Sequence, residues 1–190
     1  YSVILNDELD FLKLQLELNY PYVDKFVITE SSFTFSNRPK PLYYFNNKHL
    51  FEKYQDKIIH LIVDFNELDT WVTYPPTVFN IDDWRRDRKQ RNYILENITF
   101  TDDDILICVD IDEIVFLERC ISKIDKNDVN YFELDMRKYC MNLQCTINNP
   151  WVRALAFNPN FYKQEIHDLW HLRFLRNKQN SYKLISNAGY

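Results

Sequence analysis

An α/β domain with a mostly parallel central sheet flanked by helices is predicted by three observations on this 190-residue chain. Short apolar runs and longer amphipathic stretches follow one another in the order that parallel strands and crossover helices require. The run at 105–109 is apolar throughout, as a strand covered on both faces should be. Acids follow directly on three such runs, at Glu30, Asp64 and Asp110, and open α/β sheets bind ligands beyond these carboxyl ends. The length fits one domain over 1–190. A domain of this size buries roughly 70% of its unfolded surface, so its core needs no disulfide or metal staple.

Asn6 or Asp7 can cap a first helix reaching residue 18, with Leu5, Leu9, Leu12 and Leu16 on one stripe. Pro21 stops it. Residues 25–29 predict a short strand. Residues 31–41 contain Pro39 and Pro41 and predict a loop. A helix is expected over 47–54 and a second buried strand over 57–63. Residues 66–83, with Pro75 and Pro76, read as a long loop of the kind that more often carries function. Asp82 or Asp83 then caps a helix over 84–98. At about 100° per residue, Trp84, Asp87, Arg91, Ile94, Leu95 and Ile98 share one stripe of it. The strand at 105–109 follows, and 131–136 alternate as a further strand. Residues 146–190 show no clear period.

Several function classes are excluded. Charge is 23 basic against 28 acidic, a net −5, opposite to what phosphate neutralisation by a nucleic-acid binder needs. No apolar run approaches the roughly 20 residues that span a bilayer, so no membrane contact is expected. The 46% apolar and 16% aromatic content excludes a disordered chain. One glycine in 190 residues excludes every glycine-rich phosphate loop. Cys108, Cys120, Cys140 and Cys145 form no C-x-x-C pair, so a zinc ribbon is not expected, and Cys108 reads as a small core residue. The chain starts at Tyr1 and reads as a piece of a longer protein, incomplete at its C-terminal end.

Asp110 and Asp112 are the sharpest chemical feature. Placed just past a buried strand, with one residue between them, both carboxylates can approach one point. Two carboxylates about 4 Å apart repel by ~4 kcal/mol at an effective dielectric near 20. A divalent cation removes that repulsion, and hard oxygen ligands suit Mg²⁺ or Mn²⁺. Read blandly, the two aspartates are a solvated turn. Arg91 lies inside an apolar stripe, where a charge must be paired or aimed at an anion. An i,i+4 pair with Asp87 and a bound phosphate both satisfy that condition. Glu30 and Asp64 can line the same crevice, and Arg38, Lys40 and Arg137-Lys138 are further phosphate candidates or solvated charges. His167 and His171 have helical metal spacing but lack the H-E-x-x-H glutamate. Asn97-Ile98-Thr99 fits a glycosylation acceptor by coincidence of spacing.

These residues together resemble glycosyltransferase family 17, the group of the bisecting N-acetylglucosaminyltransferase of animals. Asn6-Asp7-Glu8-Leu9-Asp10-Phe11-Leu12 is similar to its opening N-x-E-x-D-x-L helix. Phe26-Val27-Ile28-Thr29-Glu30-Ser31-Ser32, continued by Pro39-Lys40-Pro41-Leu42, resembles its F-V-x-x-E-S-N…P-[KR]-P-L stretch. Gln90-Arg91-Asn92 after Trp84 is similar to its W…Q-R-N helix. Asp103-Asp104 through Asp110-Ile111-Asp112-Glu113-Ile114 resembles its D-D…D-x-D-E-I block. Asp135-Met136-Arg137-Lys138 and Asn187-Ala188-Gly189 also fit. Val115 stands where the family usually has proline. The family's W-H segment lies beyond Tyr190.

The resemblance implies a GT-A-like nucleotide-diphospho-sugar fold, a UDP-sugar donor such as UDP-GlcNAc, a glycan or glycoprotein acceptor, Mn²⁺ or Mg²⁺, and inversion at the anomeric carbon. In that frame Asp110 and Asp112 hold the cation and, through it, the donor. Arg91 offsets charge on the departing diphosphate, Glu30 sits near the uridine, and Glu113 is the nearby candidate for the base. Two other readings stay open: a metal-dependent phosphohydrolase using the same acids, and a non-catalytic glycan-binding module. A microbial or viral origin would place the protein in the cytoplasm, and likeness to animal relatives would place it in the Golgi lumen.

Overall fold

Seven described strands share one sheet in the computed structural model, which describes residues 1–36, 38–65, 85–138, 143–145, 150–160, 168–174 and 182–190. In chain order they are β1 (Ser2–Leu5), β2 (Phe26–Ser31), β3 (Ile58–Val63), β4 (Leu106–Asp110), β5 (Asn130–Leu134), β8 (Leu155–Phe157) and β9 (Lys183–Gly189). The short β6 (Arg137–Lys138) and β7 (Leu143–Gln144) form a separate antiparallel ladder. Helices α1 (Leu9–Asn19), α2 (Tyr43–Asn46), α3 (Arg85–Asn97), α4 (Leu117–Cys120) and α5 (Leu169–Phe174) complete the described elements used below.

The sheet order is β3-β2-β1-β4-β8-β5-β9. β3, β2, β1 and β4 pair in parallel, as do β5 and β9. β8 runs antiparallel to both its neighbours, so the sheet is mixed but mostly parallel and flanked by helices, as expected. One element corrects the sequence reading. Leu5 does not begin the stripe of the first helix: it ends β1, an opening strand that the stripe had absorbed, and is 1% exposed. Only four residues long and abutting a helix, β1 offers too few alternations to be read as a strand. The strand expected over 131–136 ends at Leu134, and β8 and β9 come from the segment without a clear period. The long loop at 66–83, Trp84 and His167 lie outside the described residues.

Alternation within the strands divides the core into two layers. Phe26 and Ile28 of β2, and Ile107 and Val109 of β4, pack with Leu12 and Leu16 of α1. Val27, Leu106 and Cys108 face the other way, against Ile94 of α3 and Leu169 and Leu172 of α5. Each fully buried leucine or isoleucine stabilises the fold by about 1.5–3 kcal/mol relative to exposure. No helix among the described residues is long and apolar enough to cross a membrane.

Buried amides then fix the backbone around the strand ends. Gln90 Nε2 of α3 donates to Thr29 O at 2.8 Å and Leu5 O at 3.4 Å. Gln15 Nε2 of α1 donates to Ile111 O at 2.7 Å, and Asn19 Nδ2 donates to Val115 O at 2.9 Å while its Oδ1 accepts from Leu117 N. The chain leaving β4 is therefore held residue by residue. Its far side meets the only glycine of the sequence. Gly189 has φ +158°, and a methyl group there would overlap the Ile114 carbonyl oxygen.

Candidate active site

The carboxyl ends of β1, β2 and β4 open on a cavity of about 770 Å³, within the usual range for a small-ligand pocket. β2 and β3 lie on one side of β1 and β4 on the other, so the crevice sits where the winding of the sheet reverses. Leu5 and Asn6 reach it from β1, Asp110, Ile111 and Asp112 from β4, and Asp87, Gln90 and Arg91 from α3. Phe33, Thr34 and Phe35 form one wall. Trp151, Arg153, Trp170 and Arg173 form another.

Asp110 and Asp112 thus line one cavity. Asp112 is exposed by surface area, yet the surrounding cavity wall partly desolvates its carboxyl, and this and then the nearby Asp110 charge raise it above the ordinary range. Asp110 takes two arginines on one carboxylate. Arg91 Nη1 donates to Oδ1 at 2.7 Å and Arg173 Nη2 donates to Oδ2 at 2.6 Å. Burial would raise the Asp110 carboxyl, but Arg173 and then Arg91 outweigh it and hold it below its usual value. Arg91 also donates from Nη2 to Asp87 Oδ1 at 2.8 Å, the i,i+4 pair, and lines the cavity. Burial raises the Asp87 carboxyl, against the pull of Arg91.

Glu113 is 4% exposed and accepts four N–H groups. Arg173 Nη1 and Nη2 reach its oxygens at 3.0 and 2.8 Å, Trp151 Nε1 at 2.6 Å and Asp110 N at 2.7 Å. Burial raises its carboxyl and Arg173 opposes that. Four donors and no acceptor around it demand the ionised form. Glu113 and Asp110 in turn keep Arg173 protonated, overriding a burial effect in the other direction.

Glu30 is fully buried. Its carboxylate accepts Tyr44 N at 3.0 Å and Phe45 N at 3.4 Å, capping α2, and His60 Nε2 lies 3.1 Å from Oε2. Lys40 lines the cavity and donates to Asn6 O at 3.0 Å, with Glu30 4.0 Å away. Asp64 and Arg38 are exposed, and Arg137 pairs with Asp135 at 3.5 Å. Asn97 is exposed and donates to Tyr93 O within its own helix. Among the described residues no group of three or more His, Cys, Asp or Glu is placed to hold a metal ion.

Sequence reasoning missed Arg173 and Trp151. Arg173 carried the same signal as Arg91, a charge set among apolar residues, but in a stretch whose period gave no face to place it on. It also missed Arg86, 1% exposed, which donates to Thr34 O at 3.1 Å and stacks near Phe33 and Phe65, securing the wall at 33–34.

Fold and site together define an α/β domain with a charged cavity at the switch point of a mostly parallel sheet. A sequence profile described as Glycosyltransferase family 17 matches residues 1–189, and the chain belongs to that family. Comparison with curated proteins and with solved structures gave no match.

Proposed function

We propose that the protein is a metal-dependent inverting glycosyltransferase of GT-A-like fold that moves a sugar, GlcNAc by family likeness, from a UDP-sugar to a glycan acceptor. The observation that carries this reading is the convergence of Asp110 and Asp112 on one cavity beside Arg91 and Arg173, in a chain of this family. The donor set is hard oxygen, which fits Mn²⁺ or Mg²⁺. Asp110 and Asp112 both line the cavity with one residue between them, so their carboxylates would hold the cation there. When bound, the cation supplies Lewis acidity toward the oxygens of the leaving diphosphate.

Arg91 and Arg173 in this reading meet the charge that builds on the diphosphate. Glu30 acts near the nucleoside indirectly, by fixing α2 and Lys40. Trp151 and Trp170 give the acceptor sugar apolar faces. Glu113 we assign to positioning, because its carboxylate is committed to four donors. The base that inversion requires then comes from another side chain facing the acceptor. A phosphohydrolase would need further acids converging on Asp110, and among the described residues no group of three or more His, Cys, Asp or Glu is placed to hold a metal ion.

Titration of UDP-GlcNAc with Mn²⁺ by calorimetry tests the assignment. Asp112→Asn should weaken donor binding at least tenfold. Equal affinity in both proteins would remove the assigned role. Metal-independent glycan binding with no UDP-sugar turnover would favour the binding-module reading instead.

A further inference from the structure

Arg91 and Arg173 are 8% and 3% exposed, so neither can carry its charge into bulk solvent. Each has one carboxylate behind it, Asp87 for Arg91 and Glu113 for Arg173, and both share Asp110 in front. The five groups alternate in sign: Asp87, Arg91, Asp110, Arg173, Glu113. Asp110 is the central member and is 31% exposed, against 6% and 5% for Asp87 and Glu113. It is the link from which an incoming anion can take the arginines. Arg91 holds one more donor, since its Nε is buried without a hydrogen-bond partner among the described residues. A buried donor of this kind is costly unless an acceptor reaches it, and a ligand oxygen in the cavity would be one.

We propose that Asp110 is an internal competitor for the anionic ligand of this cavity. A diphosphate takes Arg91 and Arg173 from the Asp110 carboxylate, and the carboxylate released in that exchange binds the divalent cation. The inference rests on the reading of the cavity as a nucleoside-diphosphate site and adds how its two ligands depend on one another.

Charge balance explains why the two ligands must arrive together. The described cavity wall carries four acids (Glu8, Asp87, Asp110, Asp112) and four bases (Lys40, Arg91, Arg153, Arg173). A diphosphate alone brings several negative charges and leaves Asp110 without its partners. A cation alone must compete with two guanidiniums for the same oxygens. Together they neutralise each other and satisfy Asp110. Binding of each therefore strengthens the other through one side chain, and linkage makes the effect reciprocal.

The test uses inorganic pyrophosphate and MnCl₂, singly and together, by calorimetry on the wild type, Asp110→Asn and Asp112→Asn, each checked for its melting transition. In the wild type, Mn²⁺ should tighten pyrophosphate at least tenfold, and pyrophosphate should tighten Mn²⁺ by the same factor. Asp110→Asn should bind pyrophosphate without metal at least fivefold more tightly than the wild type, because a neutral amide competes poorly for guanidinium, and should gain less than threefold from Mn²⁺. Asp112→Asn removes the same unit of charge from the cavity without freeing an arginine, so it should gain less metal-free pyrophosphate affinity than Asp110→Asn; an equal gain overturns the proposal. Metal-free binding by Asp110→Asn no tighter than wild type overturns the proposal. Should that variant fail to fold, independent binding of the two ligands to the wild type, or no pyrophosphate binding at all, overturns it equally. Coupled pyrophosphate and Mn²⁺ with no binding of UDP-GlcNAc would sink the transferase reading and leave the exchange standing. UDP-GlcNAc binding without coupling would do the reverse.

Discussion

At the scale of the residue, the site is governed by which carboxylate each arginine reaches. Arg173 touches both Asp110 and Glu113 while 3% exposed, so removing it leaves buried Glu113 without its counter-charge and Asp110 with Arg91 alone. Arg173→Ala should cost about 3–5 kcal/mol, the range for breaking a buried ion pair from one side. A loss of less than about 1 kcal/mol in urea unfolding would mean that water replaces the guanidinium with little penalty. Asp110 gives a pH dependence of defined sign. Its carboxyl is held below the usual range by Arg173 and Arg91 in spite of burial, so it stabilises the fold above the ordinary aspartate pKa of about 3.9. That contribution is lost as the pH falls through the folded-state value. The stability gap between wild type and Asp110→Asn should therefore be largest near neutrality and shrink toward zero on acidification below about pH 4. A gap that stays constant in urea melts across this window would show that the lost bonds were not charge-assisted.

At the scale of the element, the segment leaving β4 matters more than any helix. Gln15 and Asn19 of α1 hold its carbonyls on one side. On the other, Ile114 and Tyr190 exchange backbone hydrogen bonds, and Asp135 N donates to Gly189 O at 2.9 Å. Gly189 is where these three backbone segments come together, which explains why a chain so poor in glycine keeps one at this place. Gly189→Ala adds a methyl group into the Ile114 carbonyl and forces an L-residue into an unfavourable φ. Backbone strain of this kind alone costs about 1–3 kcal/mol, and the overlap adds to it. Thermal melting should fall accordingly, and cation binding should weaken with it, because Ile114 is two residues from Asp112. An alanine variant as stable as the wild type would refute the close approach.

For the molecule as a whole, legibility in the sequence followed the range of the interaction. β2, β3, β4 and α3 were readable because hydrophobic period and strand length are local properties. The acid pair at 110 and 112 was readable for the same reason: Asp110 ends one strand and Asp112 lies in the turn directly after it. Arg91 was noticed as a charge in an apolar stripe, but its two partners come from its own helix and from β4, and only the first could be named from spacing. β1 escaped because four residues cannot show a period. β8 was lost because an antiparallel insertion among parallel strands leaves no local mark. Arg173 and Trp151 escaped because their importance lies in contacts with Glu113, 60 and 38 residues away along the chain, and for Arg173 also with Asp110, 63 residues away.

The order of amino acids alone settled the α/β class, the position of the acids at a strand's carboxyl end and the membership of the family. It could do so because these depend on period, spacing and ordered motifs, which neighbouring residues carry among themselves. Folding decided the rest. It gave Asp110 two arginines, drew Glu113 into holding Arg173, and turned Glu30 into the cap of α2. A buried charge takes whatever partner the packing of distant segments brings within reach, and that pairing exists only once the chain has closed on itself.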